Sequence, residues 1–326
     1  MPAVTVSIIN LKGGVGKSTL AMLLGEFLVF WLGQRVLLID MDAQGNLSYI
    51  MVPEAQIGEQ TREHRTIYDL LKLGLEGRRT GIDSFITKPP FIVSNVARSA
   101  ATAYPGTIDM VISTPAVAQL DEDLMKLWEA KQPMPDNLRM SLAEAIEPSL
   151  DKYDYVLIDC PPGLSIFSST ALMASDFYIS PVIPEPLSLQ GVDLVQRRVT
   201  ELGERYGHRT RFMGVVLNIV KHYRNTHRRV ADLLYSTNHD QYQPFRFWIP
   251  DSERLRKIGE FDPDLPGSWG GGVGAKFSSL QQKYAQSFTL TNPETGSLSR
   301  QDVEGPKYRL EDRIHSLVEE FRERCQ

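Results

Sequence analysis

An apolar run, VTVSIIN (residues 4–10), leads straight into LKGGVGKST (11–19), and STLAMLLGEFLVFWLG (18–33) follows with helical character up to Gly33. A buried strand, a glycine-rich turn and a helix in that order leave few alternatives. Glycines let successive backbone N–H groups turn inward, and the helix start adds its positive end, so the turn is a cradle for phosphate. Gly13, Gly14, Val15, Gly16, Lys17, Ser18 and Thr19 would line it. Lys17 would pair with the β and γ phosphates of a nucleotide, and the Ser18 hydroxyl would sit on Mg²⁺. The ordinary phosphate-loop spacing wants a glycine five residues before Gly16, and Leu11 stands there instead. What the chain has is KGGVGKS, headed by a second lysine, Lys12. That is more charge than one nucleotide needs, and it makes sense if Lys12 reaches a nucleotide held by a second copy.

Beyond this turn, strand-like runs keep alternating with helical stretches, the signature of βαβ units and a largely parallel sheet. RVLLID, IDMVIST, YDYVLIDCPP, DFYISPVIP and FMGVVLNIV read as five further strands, with TIYDLLKLG and SSTALMAS as helices between them. The near-continuous apolar character of RVLLID points to burial on both faces. The expected fold is α/β, a mostly parallel twisted sheet with helices on both faces. With 326 residues, 42% of them hydrophobic, the chain has ample core for one domain over 1–326. Two cysteines, Cys160 and Cys325, form no CxxC pair, which leaves no disulfide framework or cysteine-rich metal site and disfavours an iron–sulfur cluster. No leader pattern or membrane-length apolar run is present, so a cytoplasmic protein is expected.

Two more segments carry chemistry. LLIDMDAQGNLS (37–48) sets Asp40 and Asp42 at the end of a strand, where they either cap a turn or serve a site, and YDYVLIDCPPG (153–163) ends its strand at Asp159. Catalytic groups of parallel sheets gather at such strand ends. Cys160 reads as a small buried residue rather than a nucleophile. In order and spacing these motifs resemble the ParA/MinD family of deviant P-loop ATPases, closest to ParA-type partition ATPases without an N-terminal helix-turn-helix. Ala43 stands where the family usually has proline. The resemblance covers most of residues 4–260 and implies a P-loop NTPase fold. It also implies that Lys12 crosses a nucleotide-sandwich homodimer, that Asp42 positions or activates the attacking water, and that Asp40 and Asp159 organise Mg²⁺ through bound water. Further matches are ALMASDFYISPVIPEPLSLQG, ending at Gly191; GVVLN, whose Asn218 reads adenine in relatives; and FWIPD, whose Pro250 and Asp251 close over the base. Asn218 could equally cap a turn. Hydrolysis of ATP is expected to be slow until a small adaptor protein stimulates it.

Charge separates the partners such a switch could serve. The formal net charge is −5, yet residues 197–257 hold thirteen Lys and Arg against six Asp and Glu. Lys221, Arg224, Arg228, Arg229, Arg254 and Lys257 are the candidates for phosphate contacts with nonspecific DNA, densest in KHYRNTHRR. A solvated basic face is the plainer alternative. The terminal YRLEDRIHSLVEEFRERCQ has one apolar face and balanced charge, unlike a basic membrane-binding helix, so a membrane partner is not expected. The leading expectation is an ATP-dependent, nucleoid-associated ATPase that segregates or positions a plasmid, chromosome or other cargo. The alternatives are a MinD-like ATPase on a membrane or protein scaffold, and a nucleotide-dependent interaction module. Residues 262–308, with Gly270–Gly272, read as a flexible insertion before a helix at 309–325; GGGVGAK within it lacks a preceding strand and is no second phosphate site. Residues 53–104 are also less patterned than the core.

Overall fold

Asp159 is the neighbour of both Ile8 and Asp40, because the strand it ends lies between the two strands that end at those residues. The computed structural model describes residues 2–89, 106–129, 136–185, 187–221, 223–236, 239–252, 255 and 310–326. The insertion at 262–308, the stretch 90–104, Arg254 and Lys257 lie outside the described residues. Seven strands form one sheet in the order β3-β4-β2-β5-β1-β6-β7. They are β1 (Val4–Ile8), β2 (Arg35–Asp40), β3 (Ile86–Thr87), β4 (Thr107–Val111), β5 (Tyr155–Asp159), β6 (Phe177–Val182) and β7 (Arg211–Leu217). Every pairing is parallel except that of β3 with β4. Six strands coincide with the apolar runs of the sequence. The antiparallel edge strand β3 has only two residues, too few for any periodicity to reveal it.

Helices cover both faces. They are α1 (Lys17–Leu32), α2 (Asn46–Met51), α3 (Glu54–Arg62), α4 (Ile67–Leu75), α5 (Val117–Glu129), α6 (Asp136–Ile146), α7 (Ile166–Met173), α8 (Gln190–Tyr206), α9 (Asn225–Ser236), α10 (His239–Tyr242) and α11 (Leu310–Arg324). Alternation along β2 shows how the layers are built. Val36 and Leu38 pack in one cluster with Leu20, Leu24 and Leu28 of α1 and with Phe321 of α11. Leu37 and Ile39 pack on the opposite side with Leu70 of α4, Leu142 of α6 and Phe167 of α7. Side chains that alternate in direction along a strand demand this two-sided burial.

Helix α1 is apolar nearly all round because it has no solvent face to serve: every residue from Leu20 to Val29 is buried. Helix α11 closes over it, with Ile314, Leu317, Val318 and Phe321 buried. Arg324 locks α11 in place by donating to the Met213, Gln243 and Pro244 carbonyls and to Glu320, at 2.7–2.9 Å. The apolar face of the terminal helix is therefore occupied by its own domain. Among the described residues no helix is long and apolar enough to cross a membrane.

One charged residue lies inside α1. Glu26 is 6% exposed, its Oε2 has no hydrogen-bond partner among the described residues, and burial pushes its carboxyl up to about 8. The folded chain therefore keeps a proton that the unfolded chain releases at lower pH. Glu26 is harmless below its unfolded value near 4.5, and its destabilising effect grows as pH rises from there to about 8, above which it is constant. Glu26→Gln is expected to raise the thermal midpoint at pH 8 by about 4 °C or more, the gain vanishing toward pH 4.5, as thermal melts across pH will check.

Candidate functional site

The loop after β1 is tied down from outside and open within. Asn10 donates from Nδ2 to the Pro181 carbonyl at 2.8 Å and accepts the Lys12 N–H at 3.0 Å, fixing where the loop leaves the sheet. Gly14 and Gly16 have positive φ, 73° and 84°. A side chain added at Gly13 or Gly14 would meet nothing within 4 Å, so the backbone there faces open space. Beneath it Lys17, 6% exposed, begins α1 with Ser18 and Thr19, and among the described residues its Nζ makes a long 3.4 Å hydrogen bond to the Lys12 carbonyl.

Strand register brings the acidic residues to the same edge. Asp40 and Asp159 are cross-strand partners, and Asp42 follows two residues beyond β2. Asp40 is fully buried and accepts from the Asp42 N–H at 3.0 Å, the Ser48 N–H at 2.9 Å and the Ser48 hydroxyl at 2.8 Å. Its carboxylate thus organises the loop that carries Asp42. Burial still raises Asp40 above the usual carboxylate range, with those hydrogen bonds opposing. Asp42 is 8% exposed, and its Oδ1 accepts the Gln44 N–H at 2.9 Å. Turn capping and site chemistry are both open to these two residues, since each carboxylate has more than one acceptor site.

Asp159 is different. Both of its oxygens are buried without a hydrogen-bond partner among the described residues. Burial and the Asp40 charge push it well above the usual range, while the Ser18 hydroxyl and Lys17 pull it back. An unpartnered buried carboxylate beside a buried, weakly bonded ammonium is unfavourable until something fills the gap. Among the described residues no group of three or more His, Cys, Asp or Glu could hold a metal ion alone. That donor set does not fit an all-protein cage. It does fit Mg²⁺, which keeps waters and shares phosphate oxygens, with Ser18 and Asp159 beside it.

The following loop joins the same edge. Gly163, in the Pro161-Pro162-Gly163 turn, donates its N–H to the Leu11 carbonyl at 3.2 Å. Cys160 is fully buried, and burial pushes its thiol up to about 12, so it is no nucleophile. Lys12 is exposed on the rim, and its Nζ pairs with Glu185 at 2.7 Å. Nothing in the spacing of Lys12 and Glu185 announces that pair, and Ser48 was equally unsignalled as the donor to Asp40.

The remaining candidates cluster at the end of β7. Asn218 is 2% exposed and donates from Nδ2 to the Val15 carbonyl at 2.8 Å. Pro250 pairs with Val220, and Asp251 lies 3.5 Å from the Lys221 Nζ. Lys221 is therefore already partnered. Arg224 and Arg229 are exposed and Arg228 is half-buried, at and just before the first turns of α9. Cations at a helix start face its positive end, an arrangement that an anionic partner would relieve.

Comparison with known proteins agrees with this geometry. A family model described as an AAA domain matches residues 3–211. Chromosome partitioning protein ParA of Caulobacter vibrioides is 33% identical over 230 residues, 71% of this chain and 74% of that protein. The chain belongs to the ParA/MinD family of P-loop ATPases. An uncharacterized protein of Mycobacterium tuberculosis is 32% identical over 217 residues, 66% of this chain but only 58% of that protein. The chain therefore aligns to little more than half of that relative's length. Two solved structures share the fold: a variant of Cyanothece McdA in complex with ATP and a plasmid partition protein from Borrelia burgdorferi. The first is 18% identical with a TM-score of 0.58, covering 89% of this chain and 99% of that one. The second is 23% identical with a TM-score of 0.57, covering 86% and 100%.

In this ParA/MinD family member, Gly16 is the most tightly surrounded of the three loop glycines. Its φ is 84°, and a Cβ there would collide with the Asn218 side-chain amide. Gly16→Ala is expected to weaken binding of a fluorescent ATP analogue by at least about tenfold while circular dichroism stays unchanged, since left-handed strain alone costs about 1–3 kcal/mol.

Proposed function

We propose that this chain is a ParA-type ATPase that binds ATP with Mg²⁺, pairs face to face with a second copy, and binds nonspecific DNA in that state. Hydrolysis of ATP to ADP and phosphate then releases the pair, and the cycle segregates or positions a plasmid, chromosome or other cargo. The observation that carries this reading is the convergence of Lys17, Asp42 and Asp159 on one sheet edge while Lys12 stands outward from the same loop. Leu164 follows Gly163 and Leu187 lies two residues after Glu185, and at 39% and 72% exposed they would offer apolar surface to a partner there. The protein named ParA in Caulobacter vibrioides supports the partition role. McdA bound to ATP supports the nucleotide.

In mechanism, the loop N–H groups and Lys17 hold the phosphates and balance charge on the transferring group. Bound beside Ser18 and Asp159, Mg²⁺ would supply further charge neutralisation. Asp42 has Oδ1 engaged with Gln44, which leaves Oδ2 to orient the attacking water. Lys12 of each copy would reach the other copy's phosphates, so turnover depends on pairing. Gly163 links the turn after β5 to the loop through Leu11, a direct path by which phosphate loss is felt at the rim. Slow turnover raised by a small adaptor protein belongs to this reading, as does a cytoplasmic, nucleoid-associated location.

Arg224, Arg228 and Arg229 are the DNA contacts of the proposal, with Lys221, Arg254 and Lys257 as further candidates. Electrophoretic retardation of unrelated DNA is expected only with ATP, and to weaken steeply between about 50 and 200 mM salt. Replacing the three arginines with alanine should lower the log–log salt slope by about 3 per subunit. An equal shift without nucleotide would reject the DNA arm. Asp42→Ala should reduce turnover about a hundredfold or more with ATP still bound, and Lys12→Ala should abolish ATP-dependent dimerisation in light scattering. Normal dimerisation of Lys12→Ala would reject the exchange of lysines.

A further inference from the structure

The stretch after α10 runs along the outer edge of β7 and leads to Pro250 and Asp251. Phe245 and Ile249 donate their N–H groups to the Val215 and Leu217 carbonyls, both at 2.9 Å. Further on, Val220 donates to the Ile249 carbonyl and accepts the Asp251 N–H, both at 3.0 Å. Between α10 and Phe247 such pairing cannot complete itself: Pro244 has no N–H, and the Gln243, Pro244 and Phe245 carbonyls and the Arg246 N–H need partners from elsewhere. Helix α11 supplies most of them. Arg324 donates to the Gln243 and Pro244 carbonyls at 2.7 and 2.9 Å and to the Met213 carbonyl of β7 at 2.8 Å. Glu320, one turn earlier and 3% exposed, accepts the Arg246 N–H at 2.9 Å and pairs with Arg324 at 2.7 Å. The Tyr235 hydroxyl of α9 donates to the Phe245 carbonyl at 2.6 Å. Arg324 also lies 4.0 Å from the centre of the Phe245 ring, and Arg313 4.0 Å from that of Trp248. Gly214 makes room for this seam: its φ is 138°, and a Cβ there would strike both the Gln243 carbonyl oxygen and the Arg324 guanidinium.

The same helix reaches the phosphate end of the site. Its Ile314, Leu317, Val318 and Phe321 share one buried cluster with Leu20, Leu24 and Leu28 of α1, the helix that the glycine loop opens. We propose that α11 sets the spacing between the phosphate loop and the segment that receives the nucleoside, with Glu320 and Arg324 as positioning residues for Pro250 and Asp251. This rests on the reading of Phe247–Asp251 as the segment that closes over the base. Residues 243–249 form neither a helix nor a regular strand, so their place on the β7 edge is fixed by side chains from α11 at one end and by Val220 at the other. Without Arg324 the apolar face still holds α11 to α1, and the loss falls on the base end of the site.

ADP and inorganic pyrophosphate differ by the adenosine alone, and on the proposed reading ADP leaves subunits single. In isothermal titration Arg324→Ala is expected to weaken ADP by about tenfold, the effect of stranding buried carbonyls, and pyrophosphate by less than about twofold. Arg324→Lys keeps the charge without the fork of donors, and its ADP affinity should fall between those of wild type and alanine. Should Arg324→Ala fail to fold, Glu320→Gln, which keeps the shape and an acceptor for the Arg246 N–H, carries the same split at about threefold. Amide exchange at 245–251 should accelerate in the variants while β1 and α1 stay protected. Equal loss for ADP and pyrophosphate, or an unchanged ADP affinity, would overturn the proposal and leave α11 a purely structural helix. A wild-type chain that binds ADP no better than pyrophosphate defeats the base-closing reading instead. Exchange at 245–251 then decides: acceleration in the variants sustains α11 as the anchor of the segment, and unchanged exchange overturns it.

Discussion

The insertion of β5 between β1 and β2 is the constraint on which the site depends. It sets Ile8, Asp40 and Asp159 level, so the loop leaving β1 and the acidic loops leaving β2 and β5 open at one place. Level placement also forces two buried carboxylates into proximity, and each is pushed toward its protonated form by burial. Asp40 recovers part of that cost through three hydrogen bonds. Asp159 recovers none from hydrogen bonds within normal reach, among the described residues. A ligand that paired with Asp159 would relieve that cost, and its binding would add to stability by mass action.

Much of this was legible in the sequence. Six strands, the glycine loop and the aspartates at strand ends follow from apolar runs and their punctuation, since strands buried on both faces have to be apolar throughout. Strand order was not legible, because β1 and β2 are consecutive in sequence yet separated in the sheet by β5, which arrives more than a hundred residues later. The orientation of Asn218 was not legible either. Its position at the end of β7 is readable, but the bond from its Nδ2 to the Val15 carbonyl is not, because the two residues lie 203 apart in sequence. Likewise Asp40 is a strand-end aspartate by sequence, but Ser48 and the Asp42 backbone take up its lone pairs. Long-range polar pairs leave no periodicity to read.

Rigidity and freedom are divided across the loop in a way that suits a switch. Its outer side is held by Asn10 to Pro181, by Asn218 to Val15 and by Gly163 to Leu11, all contacts involving backbone carbonyls. Its rim is held by one side-chain pair, Lys12 with Glu185, whose members are 52% and 40% exposed. The Lys12 ammonium, as hydrogen-bond donor first and charge second, holds the Glu185 carboxyl below its ordinary range. Exposed pairs of this kind contribute about 0–1 kcal/mol, because water and salt compete for both partners. A buried backbone tether resists exchange far more strongly, since breaking it strands a carbonyl away from water. On the proposed reading, the loop keeps its cradle while releasing its outer lysine. A triphosphate on a second copy, with several negative charges converging on one ammonium, is a stronger attractor than a single half-exposed carboxylate. On the proposed reading, pairing of subunits asks for the exchange of one weak surface contact and leaves the cradle undisturbed.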